Sequence, residues 1–133
     1  DSTWAVKDSL SPIDKFAVSN SDVISFHAYG NINETRKKIE DLEKFNRPLL
    51  CTEYLARGQE NTFQNMLPLF KERGITAINW GFVAGKTNTV FPWSSWQEEF
   101  DSLPEVWHHD IYLPDKTPFD QKEIDFLKEI LIN

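Results

Sequence analysis

The sequence has 133 residues and a formal net charge of -7. This length allows one domain with a sizeable core. The negative charge disfavours nucleic acids and anionic membrane surfaces as partners, because both are bound through basic patches. No apolar run approaches the roughly 18 residues of a membrane span.

The first predicted element is a helix over residues 11–19. Ser11 suits its N-cap and Pro12 suits its first helical position. The apolar stripe of this helix consists of Ile13, Phe16 and Ala17. The preceding ten residues have neither the basic region nor the apolar core of a signal peptide, and there is no initiating Met, so we expect the chain to be part of a longer protein.

A strand over residues 23–31 and a helix follow. VISFHAYGN is a short β-rich run that ends in polar residues. Asn31 and Glu34 have the spacing of a capping box, and the predicted helix ends near Asn46, before Pro48. Its apolar positions at helical spacing are Ile39, Leu42 and Phe45.

The segment RPLLCTEYLAR, residues 47–57, predicts a second strand that ends abruptly in Glu53. A helix over residues 62–73 follows, with Gly74 as the terminating residue. Its apolar face consists of Phe63, Met66, Leu67 and Phe70. Pro68 conflicts with this helix, because it removes a backbone hydrogen bond outside the first turn.

ITAINWGF, residues 75–82, predicts a third strand that ends near Trp80. Residues 83–119 are irregular and contain four prolines and three of the five tryptophans, which is typical of a functional loop. A helix over residues 121–131 closes the chain, with Asp120 and Glu123 at capping-box spacing. The alternation of strands and helices predicts an α/β fold with parallel strands.

Each predicted strand ends in side chains that suit a sugar site. The C-terminal ends of parallel strands converge on one rim, which would bring together His27, Tyr29, Glu53 and Trp80. An indole face stacks on a pyranose, a carboxylate attacks or stabilises the anomeric carbon, and a phenol orients the carboxylate. We therefore interpret Glu53 as a working group rather than a packing residue, since burying an unpaired carboxylate is costly.

The ordered series HAY, CTEY and NWG, with about 25 residues between successive members, resembles the last three strands of a clan A glycoside hydrolase. It is similar to the cellulase and mannanase barrels of family five. The loop GFVAGKTNTVFPWSSW also resembles a bacterial branch labelled cellulase-like or xylanase-like. The resemblance implies that residues 1–133 are the C-terminal part of a (β/α)8 barrel, with strands six to eight and their helices. The N-terminal half would then be absent.

The resemblance implies a retaining glycoside hydrolase that acts on a β-linked glycan or glycoside. Glu53 would be the nucleophile, with substrate contacts from His27, Tyr29 and Trp80. Apart from the resemblance, Trp93 and Trp96 could stack on further sugars, although an aromatic-rich loop more often packs over its own core; of the two we assign Trp93 to the site. No cofactor and no metal are implied, and a secreted or periplasmic parent is compatible with the resemblance. The family's acid/base Glu follows an Asn at the end of the fourth strand, so it would lie upstream of Asp1; the pair Asn33-Glu34 is interpreted as a helix cap instead.

Other interpretations of the same residues stay open. Glu53 could pair structurally with Arg47 or Arg57, and Cys51 is expected to be a buried, inert thiol. The chain could be a non-catalytic carbohydrate-binding or interaction fragment. It could also be a metal-dependent barrel hydrolase using His27, Glu53 and the pair His108-His109, although adjacent histidines on an extended segment are expected to point in opposite directions.

The barrel hypothesis also predicts assembly. Three parallel strands cannot close a barrel of eight, so each side of the sheet would keep an open edge and an apolar face. We therefore expect this chain to pair with a second copy of itself or with the N-terminal half as a separate chain.

Overall fold

The computed structural model describes residues 10–132. In chain order the helices and strands are α1 (Pro12–Asn20), β1 (Ile24–His27), α2 (Ile32–Glu43), β2 (Leu49–Glu53), α3 (Phe63–Glu72), β3 (Thr76–Ala77) and α4 (Gln121–Ile132). Two 3₁₀ turns lie in the connections, at Arg57–Gln59 and Trp93–Trp96. The expectation about a signal peptide concerns residues 1–10, of which 1–9 lie outside the described residues. Within the described range no helix has the length and apolar character needed to cross a bilayer.

The three strands form one parallel sheet in the order β1-β2-β3. Helices α2 and α3 connect successive strands, as parallel pairing requires. The predicted α/β class is therefore confirmed. β3 is shorter than the predicted strand over residues 75–82, but backbone pairing continues beyond it: the amides of Ile78 and Trp80 donate to the carbonyls of Cys51 and Tyr54 at 2.8 and 2.9 Å.

The hydrophobic core lies between one face of this sheet and the helices. Its fully buried members from β1, β2, α2 and α3 include Phe26, Cys51, Ile39, Leu42, Met66 and Phe70. Strand residues of the opposite parity are less protected: Leu50 is half-buried and Ile78 is 54% exposed. One face of the sheet is therefore a packed interior, whereas the other leaves apolar side chains in contact with solvent.

Helix α1 begins as predicted but buries a different side chain. Ser11 and Asp14 form a capping box, and the helix ends one residue beyond the predicted Ser19. The predicted apolar stripe is wrong, because Ile13 and Phe16 are 74% and 71% exposed, whereas Val18 is buried. The helix packs on the core through Val18, and the described residues leave Ile13 and Phe16 uncovered.

Helix α2 begins with the predicted capping box. The Asn31 side chain accepts from the Asn33 and Glu34 amides, and the Glu34 carboxylate accepts from the Asn31 amide. The helix ends at Glu43, before the predicted Asn46, whose φ of 51° lies in the left-handed region that ends helices.

Helix α3 contains Pro68 in its interior, so the proline does not set a boundary. The proline side is exposed, and water can therefore satisfy the carbonyl that lost its partner. Gly74 ends the helix as predicted, with φ of 63°. The amides of Gly74 and Ile75 donate back to the carbonyls of Lys71 and Phe70, which is a Schellman motif.

The capping box predicted at the start of helix α4 forms only in part. Asp120 does accept from the Lys122 amide at 2.8 Å. Glu123, however, is buried and forms a two-point ion pair with Arg57 instead of turning back to the helix N-terminus. A buried guanidinium competes for a carboxylate more strongly than an exposed backbone amide does.

The connection over residues 83–119 is irregular, as predicted, and folds back onto the sheet. The amide of His108 donates to the Val90 carbonyl, and the amides of Ile111 and Tyr112 both donate to the Phe82 carbonyl. These bonds bring the end of the loop next to the residues that follow β2 and β3.

Candidate active site at the strand ends

Glu53 is the last residue of β2, and a β-bulge sets the direction of its side chain. Phe26 pairs with Cys51, but the next residue, His27, pairs with Glu53, so Thr52 is an extra residue in β2. In a regular strand Glu53 would face the same side as the buried Cys51. The bulge reverses this alternation and brings Glu53 to the same side as His27.

Two neutral side chains contact the same oxygen of the Glu53 carboxylate. The Tyr29 hydroxyl donates to Oε2 over 2.8 Å, and Nδ1 of His27 lies 3.1 Å from Oε2. No described residue hydrogen-bonds Oε1. The carboxylate is therefore held through one oxygen, and its other oxygen has no hydrogen-bond donor among the described residues.

The protonation of these neighbours follows from their burial. Burial, with help from the hydrogen bond to Glu53, raises the pKa of Tyr29, so the phenol remains a donor at neutral pH. Burial lowers the pKa of His27 and outweighs the opposing attraction of Glu53, so the imidazole is neutral at pH 7.

A cleft of about 470 Å³ opens beside Glu53. Its lining side chains come from all three strand ends and from the long loop: Tyr29, Glu53, Trp80, Trp93, Trp96 and His109. The Tyr29 ring meets Trp93 edge to face at 5.3 Å. The structure thus brings Glu53, Tyr29, Trp80 and Trp93 into one cleft, whereas His27 is 8% exposed, is not among the lining residues and lies behind Glu53 and Tyr29, which it contacts.

Trp80 stands at the mouth of the cleft with 45% of its surface exposed. Gly81, which follows it, has φ of 82°, and a Cβ there would lie 2.9 Å from His109 Cβ. Glycine is therefore required both for the backbone conformation and for the close approach of the loop. The turn that presents Trp80 is also the turn against which His109 packs.

Leu55 has an uncommon backbone conformation and connects the end of β2 to the long loop over residues 83–119. Its φ is 80°, although it is not glycine. The Leu55 amide donates to the Asn61 side chain, and its carbonyl contacts Nδ1 of His109. Asn61 also donates to the carbonyls of Ala28 and Gly30, so it fastens the β1 loop to the β2 loop. Such strained residues cluster at functional sites.

Arg57 holds the end of the long loop in place. Its guanidinium donates to the Trp107 and Asp110 carbonyls at 3.1 and 3.0 Å, and its amide donates to the His108 carbonyl. Its remaining N–H groups bind Glu123. Arg57 therefore has a structural partner, and the alternative in which it pairs with Glu53 is wrong.

The histidine pair behaves differently from the prediction. The His108 and His109 rings do not point apart; their centroids lie 4.5 Å apart at an angle of 74°. Across residues 10–132, no group of three or more His, Cys, Asp or Glu side chains is arranged to hold a metal ion. Cys51 is fully buried, and burial raises the pKa of its thiol to about 12, which agrees with an inert cysteine.

The other glutamates considered as catalytic groups are not among the residues that line the cleft. Glu98 and Glu99 line a separate cavity with Phe91 and Phe100, and Glu105 is exposed. Glu34 caps α2, as predicted. Among the residues that line the cleft, Glu53 is the one carboxylate.

His109 and Asn61 are site residues that sequence reasoning missed. The sequence predicts His109 only as a possible metal ligand, and Asn61 lies between the predicted strand segment over residues 47–57 and the predicted helix over residues 62–73. Each depends on a contact across more than 30 positions of sequence, to Leu55 and Ala28 respectively, and no local pattern announces such a contact.

Comparison of the chain with protein-family models, with curated proteins and with solved structures gave no match. The resemblance to glycoside hydrolases therefore remains a prediction, and the chemistry of the cleft has to support it.

Proposed function

We propose that this chain carries the nucleophile of a retaining glycoside hydrolase that acts on a β-linked glycan. The observation that carries the proposal is the unequal environment of the two Glu53 oxygens. Oε2 is contacted by Tyr29 and His27, whereas no described residue hydrogen-bonds Oε1. A carboxylate fixed through one oxygen keeps the lone pairs of the other for attack on the anomeric carbon.

In the proposed reaction, Glu53 Oε1 forms a bond to the anomeric carbon while the glycosidic C–O bond breaks. The departing oxygen takes a proton from an acid/base carboxyl about 5–5.5 Å away, and water then hydrolyses the glycosyl ester. That second carboxyl is not among the residues that line the cleft. We therefore propose that this chain supplies the nucleophile and that the acid/base belongs to another part of the complete site.

The lining of the cleft favours neutral sugars. Three indoles offer flat apolar surfaces for sugar rings, and Trp96 is 81% exposed. The lining includes one carboxylate and neither Lys nor Arg, in a chain with a net charge of -7. An acidic sugar would meet like charge without a cation to neutralise it. A neutral β-linked glycan is the substrate class that this environment supports.

We further propose that the sheet is part of a (β/α)8 barrel, as its strands six to eight. The parallel strands, their helical crossovers and the position of Glu53 at a strand end are consistent with this arrangement. The exposed Ile78 and Val23, at 54% and 46%, are surfaces that further strands would cover. The proposed partner is the N-terminal half of the barrel, or a second copy of this chain.

A non-catalytic carbohydrate-binding role is the second candidate. The residues that line the cleft include one carboxylate and not two, which favours this role, because hydrolysis needs a proton donor as well as a nucleophile. Both candidates use the same aromatic walls, so they differ in turnover and not in binding.

The substitution Glu53→Gln in the enzyme that contains this chain tests the proposal. The amide keeps the shape but loses nucleophilicity, so we expect turnover of β-linked glycans to fall below detection while glycan binding persists. Glu72→Gln, an exposed change on α3, is the matched control and should keep full turnover. Undiminished hydrolysis by the Glu53 variant would exclude Glu53 as the nucleophile.

A further inference from the structure

His109 lines the cleft, and one of its two ring nitrogens already has a hydrogen-bond partner. The side chain is 4% exposed and lines the cleft beside Tyr29 and Trp93, with ring centroids 5.6 and 6.0 Å away. Its Nδ1 contacts the carbonyl oxygen of Leu55. A carbonyl oxygen only accepts hydrogen bonds, so Nδ1 carries the proton.

The second ring nitrogen, Nε2, is therefore an acceptor. Burial lowers the pKa of His109, so the ring stays neutral and Nε2 keeps its lone pair at pH 7. Among the described residues, none hydrogen-bonds Nε2. An acceptor nitrogen at the wall of a cleft lacks a partner until a ligand brings a donor.

We propose that Nε2 of His109 accepts a hydrogen bond from a hydroxyl group of the bound glycan, which makes His109 a specificity-determining residue. This inference rests on the proposed function. A fixed acceptor of this kind selects a sugar with a free hydroxyl at that position and disfavours one in which the hydroxyl is absent or methylated. It also disfavours an anionic group, whose lone pairs would face the lone pair of Nε2.

The ring is held so that Nε2 cannot easily turn away. Gly81 packs against His109 with no room for a Cβ, and Arg57 binds the carbonyls of Trp107 and Asp110 on either side of it. The Leu55 carbonyl fixes the ring from the other end. The acceptor is therefore in place before a ligand arrives, and binding costs little reorganisation.

The neighbouring imidazole provides a control. His108 is 2% exposed and is not among the residues that line the cleft, although its Nε2 also has no hydrogen-bond partner within the described residues. It packs against Trp93 at 4.6 Å. A ligand in the cleft should therefore perturb His109 directly and leave binding insensitive to His108.

Titration of the ¹⁵N-histidine-labelled complete protein that contains this chain with β-1,4-linked gluco-, manno- and xylotetraose provides the test. We expect the Nε2 resonance of His109 to move upfield with at least one glycan, because the nitrogen accepts a hydrogen bond. His109→Asn keeps an amide near Nδ1 but removes the Nε2 acceptor, so affinity should fall about three- to tenfold. His109→Gln, whose amide oxygen reaches the Nε2 position, should recover part of it. His108→Phe should stay within twofold of the unchanged chain.

The outcomes separate this inference from the proposed function. Binding of a glycan with an unmoved His109 resonance, or with equal affinity for the Asn variant, overturns the role of His109 and leaves the function standing. Absence of binding by all three tetraoses overturns both. Equal losses in the His108→Phe and His109→Asn variants would indicate general disturbance of the loop and would also overturn the specific role.

Discussion

Two carboxylates close to the end of β2 are held in opposite ways. Glu123 and its partner Arg57 have side chains only 6% and 5% exposed, and they meet in a two-point contact at 2.8 and 2.6 Å. The Glu53 side chain is 21% exposed and is held through one oxygen by the neutral Tyr29 and His27. The first carboxylate is neutralised by a guanidinium, whereas the second is oriented by neutral groups and has no Lys or Arg partner among the described residues.

The same substitution at the two positions should give the largest contrast. Glu123→Gln leaves the buried Arg57 charge uncompensated, so we expect the free energy of unfolding to fall by about 3–5 kcal/mol. Glu53→Gln removes no ion pair with Lys or Arg and should cost under about 1 kcal/mol. Urea unfolding of both variants at pH 7 measures the difference. Equal losses would mean that Glu53 is a structural carboxylate like Glu123.

Tyr29→Phe tests the neutral donor on Glu53 itself. A hydrogen bond to a charged group contributes about 1.5–3 kcal/mol, so loss of the hydroxyl should lower turnover by roughly 10- to 100-fold in the complete enzyme. Because the pKa of Tyr29 is raised, the loss should be the same across neutral pH. Steady-state kinetics of the variant from pH 6 to pH 8 gives the measurement. Unchanged turnover would show that Tyr29 does not orient the nucleophile.

We expect His108, which lies near Arg57, to cause a smaller effect: a loss of folding stability as the pH falls. Burial, with contributions from His109 and Arg57, lowers the pKa of His108 to about 4. The unfolded imidazole binds a proton below about pH 6.5, so His108 should destabilise the fold by about 2 kcal/mol as the pH falls from 7.5 to 4.5. Its contribution is fully present above pH 6.5 and is lost toward pH 4.

His108→Phe checks this expectation, since the phenyl ring keeps the packing against Trp93 but cannot take a proton. Urea unfolding at pH 7.5 and pH 4.5 should show a smaller loss in the variant than in the unchanged chain. His27, whose pKa is also lowered, titrates in both proteins and cancels in the difference. The same pH dependence in both proteins would mean that His108 is not held neutral.

The sequence was sufficient where local chemistry decides the structure. Ser11 and Asn31 capped their helices as predicted, and Gly74 ended α3, because each acts on backbone groups within a few residues. The convergence of Tyr29 and Glu53 also followed from sequence, since parallel strands end at one edge.

The remaining features depend on contacts between distant residues. The bulge at Thr52 turns Glu53 toward His27, and no residue in the run LLCTE indicates that bulge. Glu123 has the spacing of a capping box, but its carboxylate forms an ion pair with the buried Arg57 instead. Ile13 and Phe16 matched an amphipathic helix, yet they are exposed, because periodicity indicates a face and not what covers it.

Covalent trapping of Glu53 tests the central claim most directly. A dinitrophenyl β-glycoside with fluorine in place of the 2-hydroxyl has a leaving group that departs without protonation, so this chain needs no acid/base to react with it. Mass spectrometry of the chain after incubation with gluco- and manno-configured probes should show one added fluorosugar, and peptide mapping should place it on Glu53. The Glu53→Gln variant should gain no mass. A chain that stays unlabelled with both probes, or a label that persists in the Glu53→Gln variant, would contradict the assignment of Glu53 as a glycosidase nucleophile.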